Sequence, residues 1–320
     1  MTRFGMRTGI AIVLTLVVVA LAAPLLANDR PIAVTSDEGL ELPAFGEVLL
    51  LGALIEHPAW ETRDWTRPLP GERWRLPALI RHSYRGTDLD GRLRPPSAGH
   101  WLGTDSLGRD LAARVLHGAR TSLQVGLVST GVALAIGIVL GGLAGFLGRG
   151  FDMVVSRVVE IVLCFPTFFL ILSVLAFLPP SLPVLFIVIG LTRWPVFARY
   201  TRGEVLRVRE TDFVDAARLA GAGPLRTFFL HVLPHALTPA LVVGTFSLAG
   251  AMLVEAGLSF LGHGVQEPQP SWGSLLNDGR ETGHWWLVIF PGLALTLAIT
   301  GLQLVGEGLR TRLDPRSARD

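Results

Sequence analysis

The feature that most constrains this chain is a set of six apolar stretches, each near the length a helix needs to cross lipid. They cover residues 9–27, 122–147, 154–178, 182–200, 236–258 and 286–309. A helix rises 1.5 Å per residue, so about 20 residues cross roughly 30 Å of hydrocarbon. No water reaches backbone amides there, and each stretch must pair its own N–H and C=O groups, which predicts helices. The expected fold class is an all-α polytopic membrane protein with six transmembrane helices. Composition agrees: 17% of the residues are charged, against about 25% in soluble domains.

Arginine placement orients the spans. Arg3 and Arg7 precede the first, and Arg149 and Arg157 flank the turn from the second to the third. Arg202, Arg207, Arg209, Arg218 and Arg226 follow the fourth, and Arg310, Arg312, Arg316 and Arg319 follow the sixth. The opposite side has an uncharged turn at 179–181 and a loop at 259–285 whose single arginine is Arg280. The positive-inside rule then puts both termini and loop 201–235 in the cytoplasm of a multi-pass bacterial inner-membrane protein. The expected organisation is an N-terminal transmembrane helix (1–27) and a periplasmic segment with an interfacial helix (28–121). A core with five helices and the cytoplasmic loop follows (122–309), then a cytoplasmic tail (310–320). The first stretch has a second reading as a cleavable signal peptide, with Ala-Pro-Leu-Leu-Ala before Asn28. Its apolar run exceeds the roughly 15 residues usual for such a peptide.

Several function classes drop out. The net charge of +2 gives no support for a nucleic-acid partner. Cys164 is the single cysteine, which excludes disulfide scaffolds and cysteine-based metal sites. No phosphate-binding Gly-x4-Gly-Lys-Ser/Thr loop, His-Glu-x-x-His pair or Gly-x-Ser-x-Gly elbow occurs. No catalytic residue, metal or cofactor is therefore expected on this chain. Its histidines (57, 82, 100, 117, 231, 235, 263 and 284) are scattered and read as interfacial or loop residues.

The sharpest local pattern lies in loop 201–235. Asp212 is placed to cap a helix beginning at Phe213, and Asp215 favours the positive end of its dipole. Phe213, Ala216, Ala217 and Ala220 recur at helical spacing. Gly221 and Gly223 suit a helix stop. Pro224 suits the start of a second short helix with Leu225, Phe228, Phe229 and Val232, ending near Pro234. The expected product is a compact helix–turn–helix knob.

This stretch resembles the EAA loop of ABC importer permeases, Glu-Ala-Ala-x3-Gly-x9-Ile-x-Leu-Pro. The matching residues are Asp215, Ala216, Ala217, Gly221, Leu233 and Pro234, with Asp for the usual Glu and His231 for Ile. Two further segments are similar to dipeptide and oligopeptide permeases: Gly99 to Leu123, with Gly-Thr-Asp-Ser-Leu-Gly-Arg-Asp at 103–110, and Glu255 to Gly279. The resemblance covers about residues 100–315. It implies a type I importer permease fold and an ATP-driven importer of peptides or a related solute. It also implies a separate ATPase gripping the chain at Asp212, Asp215, Ala216, Ala217, Gly221, Pro224, Leu233 and Pro234. The partners implied are that ATPase, which uses the ATP, a second permease subunit forming a heterodimer, and a periplasmic solute-binding protein. The rival reading is a stand-alone secondary transporter or channel, which inverted repeats would mark; no convincing internal repeat is visible.

Ionisable residues within spans are functional candidates by default. Glu160, Arg193 and Glu255 qualify, with an Arg157–Glu160 ion pair as the plainer reading of the first. For Glu255, a role in helix contacts ranks ahead of solute contact. Asp105 is expected to cap a helix at the outer interface carrying Leu107, Leu111 and Val115 on one stripe, with Arg109, Arg114 and Arg120 reaching toward headgroups. Gly137, Gly141 and Gly145 form Gly-x-x-x-Gly pairs suited to close helix crossing, within the subunit or against a partner. The insert 28–97 is broken by prolines, with a possible short helix at 45–55. It reads either as a contact for a binding protein at the outer mouth or as a cover for the permease.

Overall fold

The computed structural model of the protein describes residues 2–37, 39–48, 60, 63, 65, 67, 68 and 70–313. Its helices are α1 (Thr2–Leu26), α2 (Leu111–Leu147), α3 (Arg149–Cys164), α4 (Thr167–Leu175) and α5 (Leu182–Val208). They continue with α6 (Asp212–Leu219), α7 (Pro224–Phe260), α8 (Trp272–Thr282) and α9 (Trp285–Leu313). Five of them, α1, α2, α5, α7 and α9, are each long and apolar enough to cross a membrane.

The remaining expected span, 154–178, is a bent pair. Helices α3 and α4 meet at 86°. Pro166 explains the break. It has no N–H to continue the ladder, and it pushes the preceding residue out of helical geometry. Phe165 accordingly sits in extended conformation (φ −88°, ψ 134°).

Two compact units divide the chain. The first comprises Met1–Ala11, Val125–Glu255 and Ile299–Asp320. Its organising contact is a glycine row on α2. A Cβ on Gly141 would stand 2.2 Å from the Ala198 carbonyl oxygen, one on Gly137 2.3 Å from Phe197 Cβ, and one on Gly145 2.9 Å from the Arg202 carbonyl. On α5, Gly190 reciprocates, with Val132 Cγ1 2.7 Å from its virtual Cβ. The two helices are therefore in backbone contact, the arrangement small residues permit in lipid. The Gly-x-x-x-Gly spacing thus serves contact within this chain. Gly126 turns the other way, toward Met252 of α7. In the same unit α1 lies on α9: a Cβ on Gly9 would meet Leu304 Cβ at 2.7 Å and the Gly301 carbonyl at 2.9 Å.

The second unit comprises Ile12–Gln124 and Ala256–Ala298. Its insert contains a small antiparallel sheet, which the helical reading did not anticipate. The strands are β1 (Ala33–Ser36), β2 (Gly39–Glu41) and β3 (Trp74–Leu76), in the order β2-β1-β3. Val34, Trp60 and Trp65 form a buried cluster beside it. The short helix expected at 45–55 is a 3₁₀ turn, Pro43–Glu47, as far as the described residues reach. Residues 49–55 lie outside them.

No separate interfacial helix precedes span two among the described residues. Helix α2 starts at Leu111 and continues without a break for 37 residues, about 55 Å. Asp105 does not cap it. Asp110 does, accepting the Ala113 amide at 2.8 Å. The loop expected at 259–285 contains α8, opened by a reciprocal Ser271–Ser274 capping box and closed at Gly283 (φ 73°). Trp272 fixes α8 on the first turns of α2: its indole N–H donates to the Val115 carbonyl at 3.0 Å, and Gly118 leaves room for the ring.

Candidate functional site

The knob after α5 is built from local chemistry. Thr211, not Asp212, is the N-cap residue of α6, and Asp212 and Asp215 occupy its first turn. The helix ends in a Schellman arrangement: the Gly221 amide donates to Arg218 and the Ala222 amide to Ala217, both at 3.0 Å. Gly221 supplies the left-handed residue this needs (φ +88°). Pro224 then opens α7.

The second helix of the knob does not stop at Pro234. Residues Thr227–Val232 form a π turn, in which the Leu233 amide reaches back five residues to the Phe228 carbonyl. This wider turn accommodates a proline ring that would otherwise crowd the preceding turn. Knob and span thereby become one helix, Pro224–Phe260.

Beneath the knob lies a rigid base. Val205, Val208, Val214, Val232 and Ala236 form a buried cluster with Phe146 against it. Gly142 sits below the Phe228 ring, one helical turn from Phe146, which contacts the same ring. Arg209 donates to the Gly145 carbonyl at 2.7 Å. Above the base, the surface carries exposed apolar side chains among charged ones: Leu219 is 90% exposed, Leu225 70%, Leu230 61% and Phe229 56%. Asp212, Ala216, Gly221, Pro224 and Pro234 are exposed, and Ala217 and Leu233 are partly buried. Asp215 pairs with Arg218 at 3.0 Å on the surface. The expected face of Phe213, Ala216, Ala217 and Ala220 does not point inward; Val214 is the buried anchor of α6.

The three intramembrane candidates fall in different settings. Glu160 pairs with Arg157 at 2.7 Å, both well exposed on α3. Arg193, halfway along α5, lays its guanidinium against Gly250 of α7, where an added Cβ would stand 2.7 Å from Nη2. Glu255 is fully buried.

In the second unit Arg109 and Arg114, expected to reach toward headgroups, are instead drawn into an ion-pair network, and Arg120 donates to the Glu47 carbonyl at 3.1 Å. Arg109 Nε meets Asp105 at 2.6 Å, and its two terminal nitrogens meet Glu267 at 2.6 and 3.0 Å. Arg114 contacts Glu267 at 2.9 Å and Asp105 at 3.3 Å. Asp105 and Arg114 are almost wholly buried. The other Asp105 oxygen accepts the Leu107 and Arg109 amides, closing the 105–109 turn. Two cations facing two anions compensate the cost of burial, which an isolated charge would not escape. Burial pushes the Glu267 carboxyl up, but Arg109 and Arg114 outweigh it and hold the group below the usual range. For Arg109, burial works against the charge, while Glu267 and Asp105 prevail and raise its pKa. This network was missed in the sequence because Glu267 lies 158 residues from Arg109.

Residues 137–319 match the family described as binding-protein-dependent transport system inner membrane component. The chain is 42% identical over 242 residues to the dipeptide transport system permease protein DppC of Alkalihalophilus pseudofirmus, covering 75% of this chain and 80% of that one. It is 43% identical over 235 residues to the di/tripeptide transport system permease protein DppC of Pseudomonas aeruginosa, covering 71% and 78%. A putative peptide permease protein of Brucella suis is 36% identical over 302 residues, covering 91% and 93%. Among solved structures, inward-facing MetNI methionine ABC transporter is similar in fold, with TM-score 0.53 at 19% identity, covering 63% of this chain and 97% of that one. The five long apolar helices, the bent α3–α4 pair and these matches lead to one conclusion: the chain belongs to the binding-protein-dependent transport system inner membrane components, the permease subunits of ABC importers.

Proposed function

We propose that this chain is one half of a heterodimeric permease that carries peptides inward, driven by an ATPase on a separate chain and supplied by a periplasmic binding protein. The observation that carries the reading is the knob: exposed Leu219, Leu225, Phe229 and Leu230 stand on a buried valine base. Apolar side chains this exposed suit a protein partner, because burying each removes tens of Å² of apolar surface from water at about 25 cal/mol per Å². Asp212, Asp215, Ala216, Ala217, Gly221, Pro224, Leu233 and Pro234 make up or border the surface an ATPase would grip. With the knob in the cytoplasm, both termini are cytoplasmic too. Helix α1 remains part of the protein in this reading, since Gly9 is shaped to the surface of α9.

The peptide class rests on the relatives' names. Arg193 is the residue of choice for a peptide's terminal carboxylate, being a cation inside a span beside a glycine that makes room for it. The test is reconstitution in proteoliposomes with an ATPase, a second permease and a binding protein of the same importer. Leu219→Asp with Leu225→Asp should abolish co-purification of the ATPase and ATP-dependent peptide uptake while leaving membrane insertion unchanged. Normal uptake by that variant, or uptake by the wild-type chain with no ATPase present, would sink the proposal.

A further inference from the structure

Away from the knob, His82, His100 and Asp110 each offer a ligand atom, and these atoms lie within 4.8 Å of one another. They come from three separate segments: the irregular stretch after Ile80 within the insert, the loop before the 103–110 turn, and the cap of α2. The Asp110 side chain is 1% exposed and that of His100 20%. One Asp110 oxygen is committed to the Ala113 amide. The other meets His100 Nδ1 at 2.8 Å. The His82 ring stacks on His100 with centroids 4.5 Å apart and 29° between planes. His82 and Asp110 border a cavity of about 240 Å³ that Leu79, Gly99 and Trp101 also line.

We propose that His82, His100 and Asp110 bind one divalent transition-metal ion of the zinc class. Two imidazoles and a carboxylate are a donor set for zinc, cobalt or nickel, not for calcium or magnesium, which take oxygen ligands. A tetrahedral zinc with bonds near 2.0–2.1 Å separates its ligands by about 3.3 Å. The His100–Asp110 pair, at 2.8 Å, therefore needs to open by about 0.5 Å and the wider separations to close by roughly 1.5 Å at most, with the two stacked rings turning to aim their nitrogens at one point, which side-chain rotation covers. The ion takes the place of the proton shared between His100 and Asp110, and water in the cavity supplies the fourth ligand. Arg81 borders the same cavity but is exposed, so its charge can turn into solvent. The bound ion would tie the insert to the first turn of α2 by a link unrelated to peptide recognition.

The test uses the full chain in lipid nanodiscs, purified through a tag without histidine, stripped with EDTA and dialysed against micromolar free zinc. Metal content by mass spectrometry should show one equivalent more in wild type than in His82→Ala, with affinity at least tenfold weaker in the variant. Cobalt should give visible absorption bands of a tetrahedral site in wild type and none in the variant. His82 makes one hydrogen bond, to the Gly99 carbonyl, so unchanged thermal unfolding of stripped His82→Ala identifies the loss as one of ligation. His263→Ala, on the exposed loop after α7, should keep full metal content. Equal zinc in wild type and His82→Ala, no zinc in wild type, or loss on His263→Ala instead would each overturn the proposal.

Discussion

Replacing Gly141 by alanine is the sharpest probe of how this permease is assembled. The added Cβ would stand 2.2 Å from the Ala198 carbonyl oxygen and 2.6 Å from its Cα, where ordinary contact begins at 3.4 Å. Helices α2 and α5 would have to part locally by about 1.2 Å, because the obstacle is backbone and has no rotamer to change. Overfilling of this kind costs about 1–3 kcal/mol. Parting also loosens the contacts at Gly137 and Gly145 on the same face. Alanine's better helix propensity returns at most about 1 kcal/mol, so the steric effect wins. The control is Gly131→Ala on the same helix, where the new methyl meets nothing within 4 Å. Thermal unfolding in detergent, followed by tryptophan fluorescence, should show Gly141→Ala melting about 2–8 °C below wild type, a net cost of about 1–2 kcal/mol at roughly 2–4 °C per kcal/mol. Gly131→Ala should match wild type or exceed it. If the two variants melt together, α2 and α5 do not touch through this glycine row.

Other perturbations separate the parts of the molecule. Asp105→Ala leaves Arg109 and Arg114 sharing Glu267 as the remaining carboxylate of the network and opens the 105–109 turn, so it should cost about 3–5 kcal/mol in unfolding; Asp105→Asn, which keeps an oxygen for the Leu107 and Arg109 amides, should cost less. Glu267 has a depressed pKa, so its contribution is complete above the ordinary glutamate value near 4.3 and is lost as pH falls through its lower folded value. Hydrogen-exchange protection at 105–114, corrected for intrinsic rate, should hold from pH 7 to about 5 and fall only below about 4; a loss near pH 6 would contradict the network. Gly221→Val meets open space, so its cost is the backbone penalty of a positive φ, about 1–2 kcal/mol. That variant should insert normally yet hydrolyse ATP without uptake in the reconstituted importer, and coupled uptake would count against the knob's role.

Much of this molecule follows from the order of its residues. Apolar runs had to become helices because lipid offers backbone amides no other partner. Gly221 and Pro224 marked the end of one helix and the start of the next because few other residues meet those backbone demands. The same logic applied to Pro166 would have exposed the break in span three, and Ser271 with Gly283 would have exposed α8. What local pattern could not supply is the identity of distant neighbours. The spacing of the glycine row fits a partner subunit equally well; only the approach of Ala198 assigns it to α5. Arg109 and Arg114, long enough to reach lipid headgroups, turn inward because folding delivers Glu267 to them from far along the chain. Scattered histidines carried no metal pattern, yet His82 and His100 stack beside Asp110 once three segments converge. Periodicity and caps act over a few residues and are written locally, whereas charge pairing and ligand geometry depend on distances through space that only the tertiary fold sets.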